Sequence, residues 1–233
     1  MKKIAPILQT IIFTIVLASV PLSAKEINAN RTLDGGLLAG ISSSIWAGNP
    51  NTAFGEQYLL GYDYNWRIRF GFAVGAFADL RIDSHFGIRM ELLYVQKGCV
   101  ENERLYGSKD IFRFDYVEIP LLVKFAPSPR SKIRPSISIG PFLDQYLRSE
   151  LESNPSSDIL GFHRYLSKEK IRKSCYGIVL GGGIDFPSGK GMMSIEIRLE
   201  LGLSSTWNYA PNPSPNLRTN SLLLLTGYSF SAL

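Results

Sequence analysis

The sequence predicts an all-β fold: an eight-stranded antiparallel up-and-down transmembrane β-barrel with a lumen filled by side chains. Three observations predict it. Apolar residues recur at every second position in one segment after another. The links between these segments alternate between long and short. An apolar leader of the export type comes before them all.

The leader sets the compartment. Lys2 and Lys3 precede an uncharged, mostly apolar run over residues 4–20, and Leu22-Ser23-Ala24 supplies small residues before Lys25. This is the plan of a secretory signal peptide over residues 1–24, cut after Ala24. Residues 25–36 are read as a lead-in and 37–233 as the barrel domain. No later stretch approaches the roughly 20 apolar residues of a membrane helix. The formal charge is +5, and removing Lys2 and Lys3 leaves +3. With basic residues scattered along the chain, that argues against a nucleic-acid partner.

The strands follow in order. The first, at 37–46, alternates poorly. In 70–82 (FGFAVGAFADLRI) the even positions are apolar, opposite Gly71, Gly75, Asp79 and Arg81. In 88–97 (IRMELLYVQK), Ile88, Met90, Leu92 and Tyr94 oppose Arg89, Glu91 and Lys97. In 117–125 (VEIPLLVKF), an aliphatic row opposes Glu118, Pro120 and Lys124. Segment 137–147 sets Ile137, Ile139, Leu143 and Leu147 against Ser138, Gly140, Asp144 and Tyr146. Segment 176–186 alternates against glycines and Asp185. In 193–203 (MSIEIRLELGL), Ile195, Ile197 and Leu199 oppose Glu196, Arg198 and Glu200. The last strand lies within 221–230. Each is long enough to cross a bilayer when tilted by about 45°.

The links carry independent information. Those at 47–68, 99–110, 150–173 and 205–218 are long, and those at 83–85, 126–132 and 187–191 are short. Outer-membrane barrels of Gram-negative bacteria have short periplasmic turns and longer extracellular loops. The apolar rows then face lipid and the charged rows face the lumen. A soluble lipocalin-like barrel would turn them the other way. An eight-stranded barrel is just wide enough for side chains to fill, and charges sealed there must be paired. Arg81, Arg89, Glu91, Glu118, Lys124, Glu196, Arg198 and Glu200 are therefore expected to form a structural ion-pair network, with Glu118 and Lys124 as one pair. Gly71, Gly75, Gly140, Gly181 and Gly183 make room for it.

These stretches also carry a resemblance. The chain resembles the PorT-type outer-membrane β-barrel family, typical of Bacteroidetes, in MELLYVQKG (90–98), DYVEIPLLVKF (115–125), SIGPFLDQYL (138–147), YGIVLGGGIDF (176–186), IEIRLELGLSS (195–205) and LLTGYSF (224–230). They occur in family order. Two departures stand out: Cys175 replaces a commonly acidic position, and Ser231-Ala232-Leu233 follow the closing aromatic. The resemblance implies an outer-membrane location and a barrel fold. One namesake member is tied to type IX secretion, a role not carried over here.

No catalytic residue, metal ligand or cofactor site is assigned. His85 and His163 lack the companions of a triad or metal site. Residues 181–183 (GGG) lack the strand-to-helix context of a phosphate loop. Cys99 and Cys175 share lumenal parity, so a disulfide between them is allowed, although strand order sets them apart. Trp46, Trp66, Tyr62, Tyr64, Tyr94, Tyr116, Tyr176 and Tyr228 are expected at the membrane interfaces. Tyr62, Tyr64 and Trp66 also offer a stacking platform for a loop-bound ligand. The leading expectation is a non-enzymatic scaffold displaying four external loops. Its partners would be outer-membrane lipid, the barrel-insertion machinery and an envelope protein. The alternatives are a barrel enzyme acting on lipid or peptide and a soluble periplasmic carrier of an apolar ligand.

Overall fold

In the computed structural model, residues 32–48, 65–102, 109–128, 132–153, 171–206 and 217–230 are described. They form β1 (Thr32–Ala47), β2 (Asn65–Arg67), β3 (Arg69–Arg81), β4 (Phe86–Asn102), β5 (Lys109–Phe125), β6 (Arg134–Ser153), β7 (Ser174–Ser188), β8 (Gly191–Gly202) and β9 (Arg218–Phe230). Only Ile68 separates β2 from β3, and both pair with β4, so together they make one stave of eight. Each stave pairs antiparallel with its chain neighbours, and β1 pairs with β9, as at Ile41↔Leu224. The sheet therefore closes without an exposed edge. Among the described residues no helix is long and apolar enough to cross a membrane.

The two faces of the wall are inverted relative to a soluble protein. On β8, Ile195, Ile197 and Leu199 are 43%, 54% and 41% exposed, whereas Glu196, Arg198 and Glu200 are 4%, 1% and 0% exposed. The same aliphatic band runs around the wall through Leu37, Val74, Met90, Leu121, Ile137, Leu180 and Leu224. A soluble carrier would bury those rows, so the lipocalin-like alternative fails on orientation. Water could not tolerate so large a continuous apolar belt, but acyl chains can. Aromatic contacts edge the belt: Phe86–Phe125 and Tyr228–Phe230 at the short-turn end, Phe72–Tyr94 toward the other.

The short turns are tightly made. At 83–85 the Asp83 carboxylate accepts the backbone N–H groups of His85 at 2.6 Å and Phe86 at 2.7 Å. These two donors hold its carboxyl below the ordinary value, the Phe86 bond most strongly. Between β7 and β8, Ser188 pairs with Gly191, and the turn uses Gly189 at φ 61°.

The strands are longer than the alternation in the sequence indicates. β1 starts at Thr32, inside the expected lead-in; β4 runs past Cys99 to Asn102; β6 runs to Ser153. At the long-loop end the pattern reverses. Inward positions become apolar (Cys99, Phe112, Phe114) and outward ones polar (Gln96, Arg113, Asp115, Glu150). There the wall leaves lipid for water, so the alternation that marks the membrane segment no longer applies. A bulge between Asp115 and Tyr116 re-aims β6, so that Arg148 meets Asp115 on the outer face at 2.5 Å.

Candidate functional site: a sealed lumen

From the short-turn end upward, the lumen is built in layers. Lys124 reaches Asp185 at 2.8 Å, and Arg81 reaches Asp34 at 3.4 Å nearer the rim. Above them, Arg89 donates to both oxygens of Asp79, at 2.7 and 2.6 Å, and to Glu196. Its guanidinium also lies 4.2 Å from the centroid of the Phe77 ring. Arg198 forks onto Glu91 at 2.5 and 2.7 Å and binds Glu196 at 2.6 Å. Two planar guanidiniums thus interleave three carboxylates, the arrangement that best satisfies their donors. Gly181 and Gly183 make it fit: a Cβ at Gly183 would lie 2.7 Å from Cγ of Glu196, and one at Gly181 would lie 2.4 Å from Oγ of Ser138.

The next layer centres on one ammonium. Lys97 Nζ lies 2.5 Å from Glu118, 2.9 Å from Asp144 and 3.0 Å from Glu200, and 4.6 Å from the Phe142 ring centroid. All four charged groups are buried. Above this layer the lumen turns apolar. Trp46, Cys99, Phe112, Phe114, Tyr116, Ile171 and Leu217 form one buried cluster, with Trp66, Tyr146 and Leu151 against it. Ile171 and Leu217 belong to the ends of two long links and fold in over the mouth; Arg172 N–H donates to Thr206 O and Thr206 N–H to Leu217 O, both at 2.8 Å.

Several expectations change. Glu118 and Lys124 are not a pair: they stand six positions apart on one strand, so Glu118 turns to Lys97 and Lys124 to Asp185. Cys99 and Cys175 are not joined: one packs in the aromatic cluster from β4, and the other, on β7, donates to Ser205 O at 3.8 Å. Two strands intervene, too far for disulfide geometry. Trp46, Trp66 and Tyr116 lie inside the lumen rather than at the lipid interface, Trp46 and Trp66 with centroids 5.1 Å apart. Trp66 is thus spent on the plug, while Tyr62, Tyr64 and His163 lie outside the described residues. His85 sits exposed in its turn beside Ser84. Among the described residues no group of His, Cys, Asp or Glu is arranged to hold a metal ion. Lys97, Asp144, Asp79 and Asp185 complete the network; their inward parity was readable, their partners across the barrel were not.

Comparison with known proteins places the fold. The model of the outer membrane protein beta-barrel domain family matches residues 28–208, and the chain belongs to that family. Its family places it in the outer membrane of a Gram-negative cell. No curated protein matches the chain. Among solved structures it is similar to the outer membrane protein OprG from Pseudomonas aeruginosa, with 14% identity, TM-score 0.50, 87% of this chain and 96% of that one covered. Likenesses to Neisserial surface protein A (12% identity, TM-score 0.45, 84% and 97% covered) and to AlkL (12%, 0.45, 91% and 96%) are also found.

Proposed function

We propose that the protein is a non-enzymatic outer-membrane scaffold whose closed wall presents extracellular loops to a protein or polymer of the cell envelope. The observation that carries this reading is the filled lumen. Arg198, Glu91, Lys97, Glu118 and Glu200 are all buried, and an aromatic plug covers them. A barrel packed in this way serves as a rigid support and not as a conduit. β4, β5 and β6 rise above the bilayer with a charged outer surface, which extends the support toward the loops. The PorT-type assignment, a cleaved leader over residues 1–24 and an association with secretion machinery belong to the same reading.

Two experiments test it together. Reconstituted in a planar bilayer, the protein gives no stable porin-like conductance steps. In cells, replacing the loop at 154–170 by a short Gly-Ser linker leaves the barrel inserted but removes crosslinks to its envelope partner. Steady channel openings would overturn the scaffold reading.

A further inference from the structure

The two ionic layers differ in one respect. In the lower layer every carboxylate oxygen that is buried has a hydrogen-bond donor, because two guanidiniums supply many N–H groups. In the Lys97 layer Glu118 Oε1, Asp144 Oδ1 and both oxygens of Glu200 are buried with no hydrogen-bond donor, Glu200 Oε2 meeting Lys97 only as an ion pair at 3.0 Å. So is the Ser221 hydroxyl, the cross-strand neighbour of Glu200 on the inward face of β9. One ammonium faces three carboxylates, which leaves two negative charges in excess. Orphaned acceptors around surplus negative charge indicate a missing positive donor. Arg198 cannot supply it, being committed to Glu91 and Glu196. Arg69 of β3 is turned to the Lys97 carbonyl at 3.3 Å. Ser42 and Ser44 of β1 donate to the carbonyls of Gln96 and Gly98. From β5 and β7 the remaining titratable neighbours are Tyr116 and Cys175, both neutral groups.

We propose that the Lys97 layer is a proton-binding site, in which protons shared among Glu118, Asp144 and Glu200 balance the surplus charge. Lys97 fills the position a metal ion would need, and no metal-holding arrangement exists among the described residues. A cavity with room for about one water molecule touches Asp144 and is lined by Tyr116, Cys175, Ser204, Thr206 and Thr219. Thr206 is the same residue that ties the two loop ends at Arg172 and Leu217. Loss of the protons to a buffer base leaves like charges facing one another beneath the plug, and the strain falls on the segment that anchors the loops.

The test uses the refolded protein in detergent micelles, read by infrared spectroscopy and by thermal unfolding across neutral to alkaline pH. The wild type shows the carbonyl stretch of protonated carboxyl groups at neutral pH and loses thermal stability as alkaline pH removes it. Glu200→Gln loses roughly half of that band, since one of two surplus charges is gone. Asp144→Asn/Glu200→Gln lacks it and unfolds at the same temperature across the range. If the double variant does not refold, Asp144→Asn and Glu200→Gln each serve alone. Absence of the band in the wild type, or its persistence unchanged in the variants, overturns the proposal. So does alkaline stabilisation of the wild type by sodium or potassium, which would assign the balancing charge to a metal cation.

Discussion

Arg198 and Glu91 stand 107 residues apart in the chain, yet their side chains meet in a two-bonded fork at 2.5 and 2.7 Å inside the barrel. The pair joins β8 to β4, strands on different sides of the wall. It shows what the lumen contributes: cross-bracing between staves that the backbone ladder does not connect. Removing one member leaves the other buried and charged. Arg198→Met is expected to destabilise the barrel by about 3–5 kcal/mol. Arg198→Met/Glu91→Leu should recover part of that loss, because the Glu91 charge left unpaired by the single change is removed with it, while Glu196 keeps Arg89 as its partner. Urea unfolding in micelles, following the gel-mobility difference between folded and unfolded forms, measures both.

The aromatic plug predicts a different pattern. Trp46 lies 5.1 Å from Phe112 and 5.6 Å from Phe114, ring to ring, under the loop ends. Phe112→Ala is expected to cost about 3–5 kcal/mol, as deletion of a buried ring does elsewhere. Its effect should be confined to the long-loop end. Hydrogen exchange should quicken at Trp46 and Phe114 while amides of β8 between Glu196 and Arg198 stay protected.

Gly98 lies in the stretch of β4 over which its pairing passes from β3 to β2, from Ala73↔Val95 to Arg67↔Val100. Its φ of 147° disfavours L side chains, and a Cβ there would fall 1.9 Å from the Phe112 carbonyl oxygen. Ser44 bonds both its N–H and its carbonyl, at 2.8 and 2.9 Å. Gly98→Ala is expected to lower stability by about 1–3 kcal/mol from backbone strain alone. Gly87, where a Cβ would approach nothing closer than 3.2 Å, provides the control. Refolding yield of the two alanine variants separates them.

Much of this was legible in the residues, within a clear limit. Period-two alternation on β8, Ile195 to Glu200, is a local property: each side chain's face follows from its parity. The membrane-spanning part of the barrel could therefore be read, together with the membership of its lumen. What could not be read is non-local. Lys124 is as close in sequence to Glu118 as to any acid, but strand rise sets them far apart while the closed sheet brings Asp185 near. Trp46, Trp66 and Tyr116, expected at the lipid interface and found in the plug, were misjudged for another reason. Above the bilayer both faces of the wall meet water or each other, so the parity that marks a lipid-facing row loses its meaning.

The Asp83 turn carries a pH prediction. Its carboxyl is held below the ordinary 3.8 by two backbone donors. A depressed folded-state value means the stabilisation is present at neutral pH, above the unfolded value, and is lost as pH falls through the folded value. Asp83→Ala should therefore lower stability at neutral pH and flatten the dependence below about pH 4. Thermal unfolding of both proteins between pH 3 and 7, in roughly even steps, reads the difference.

The lipid-facing row can be challenged directly. Ile197, 54% exposed at the middle of β8, should accept Leu at little cost. Ile197→Arg should cost about 2–4 kcal/mol, the penalty of a cation near the bilayer midplane. Unfolding from lipid vesicles, where the acyl phase is present in both states, is the appropriate measurement.

The central claim is that aliphatic side chains outside the wall touch acyl chains while those inside do not. Methyl-labelled protein in lipid nanodiscs tests it without substitution. Cross-relaxation from acyl-chain protons should reach the methyls of Ile195, Ile197 and Leu199. It should not reach Leu93, Leu122 or Leu225, which are buried within the barrel. Acyl-chain contact at the second set, or none at the first, would contradict the orientation on which the whole account rests.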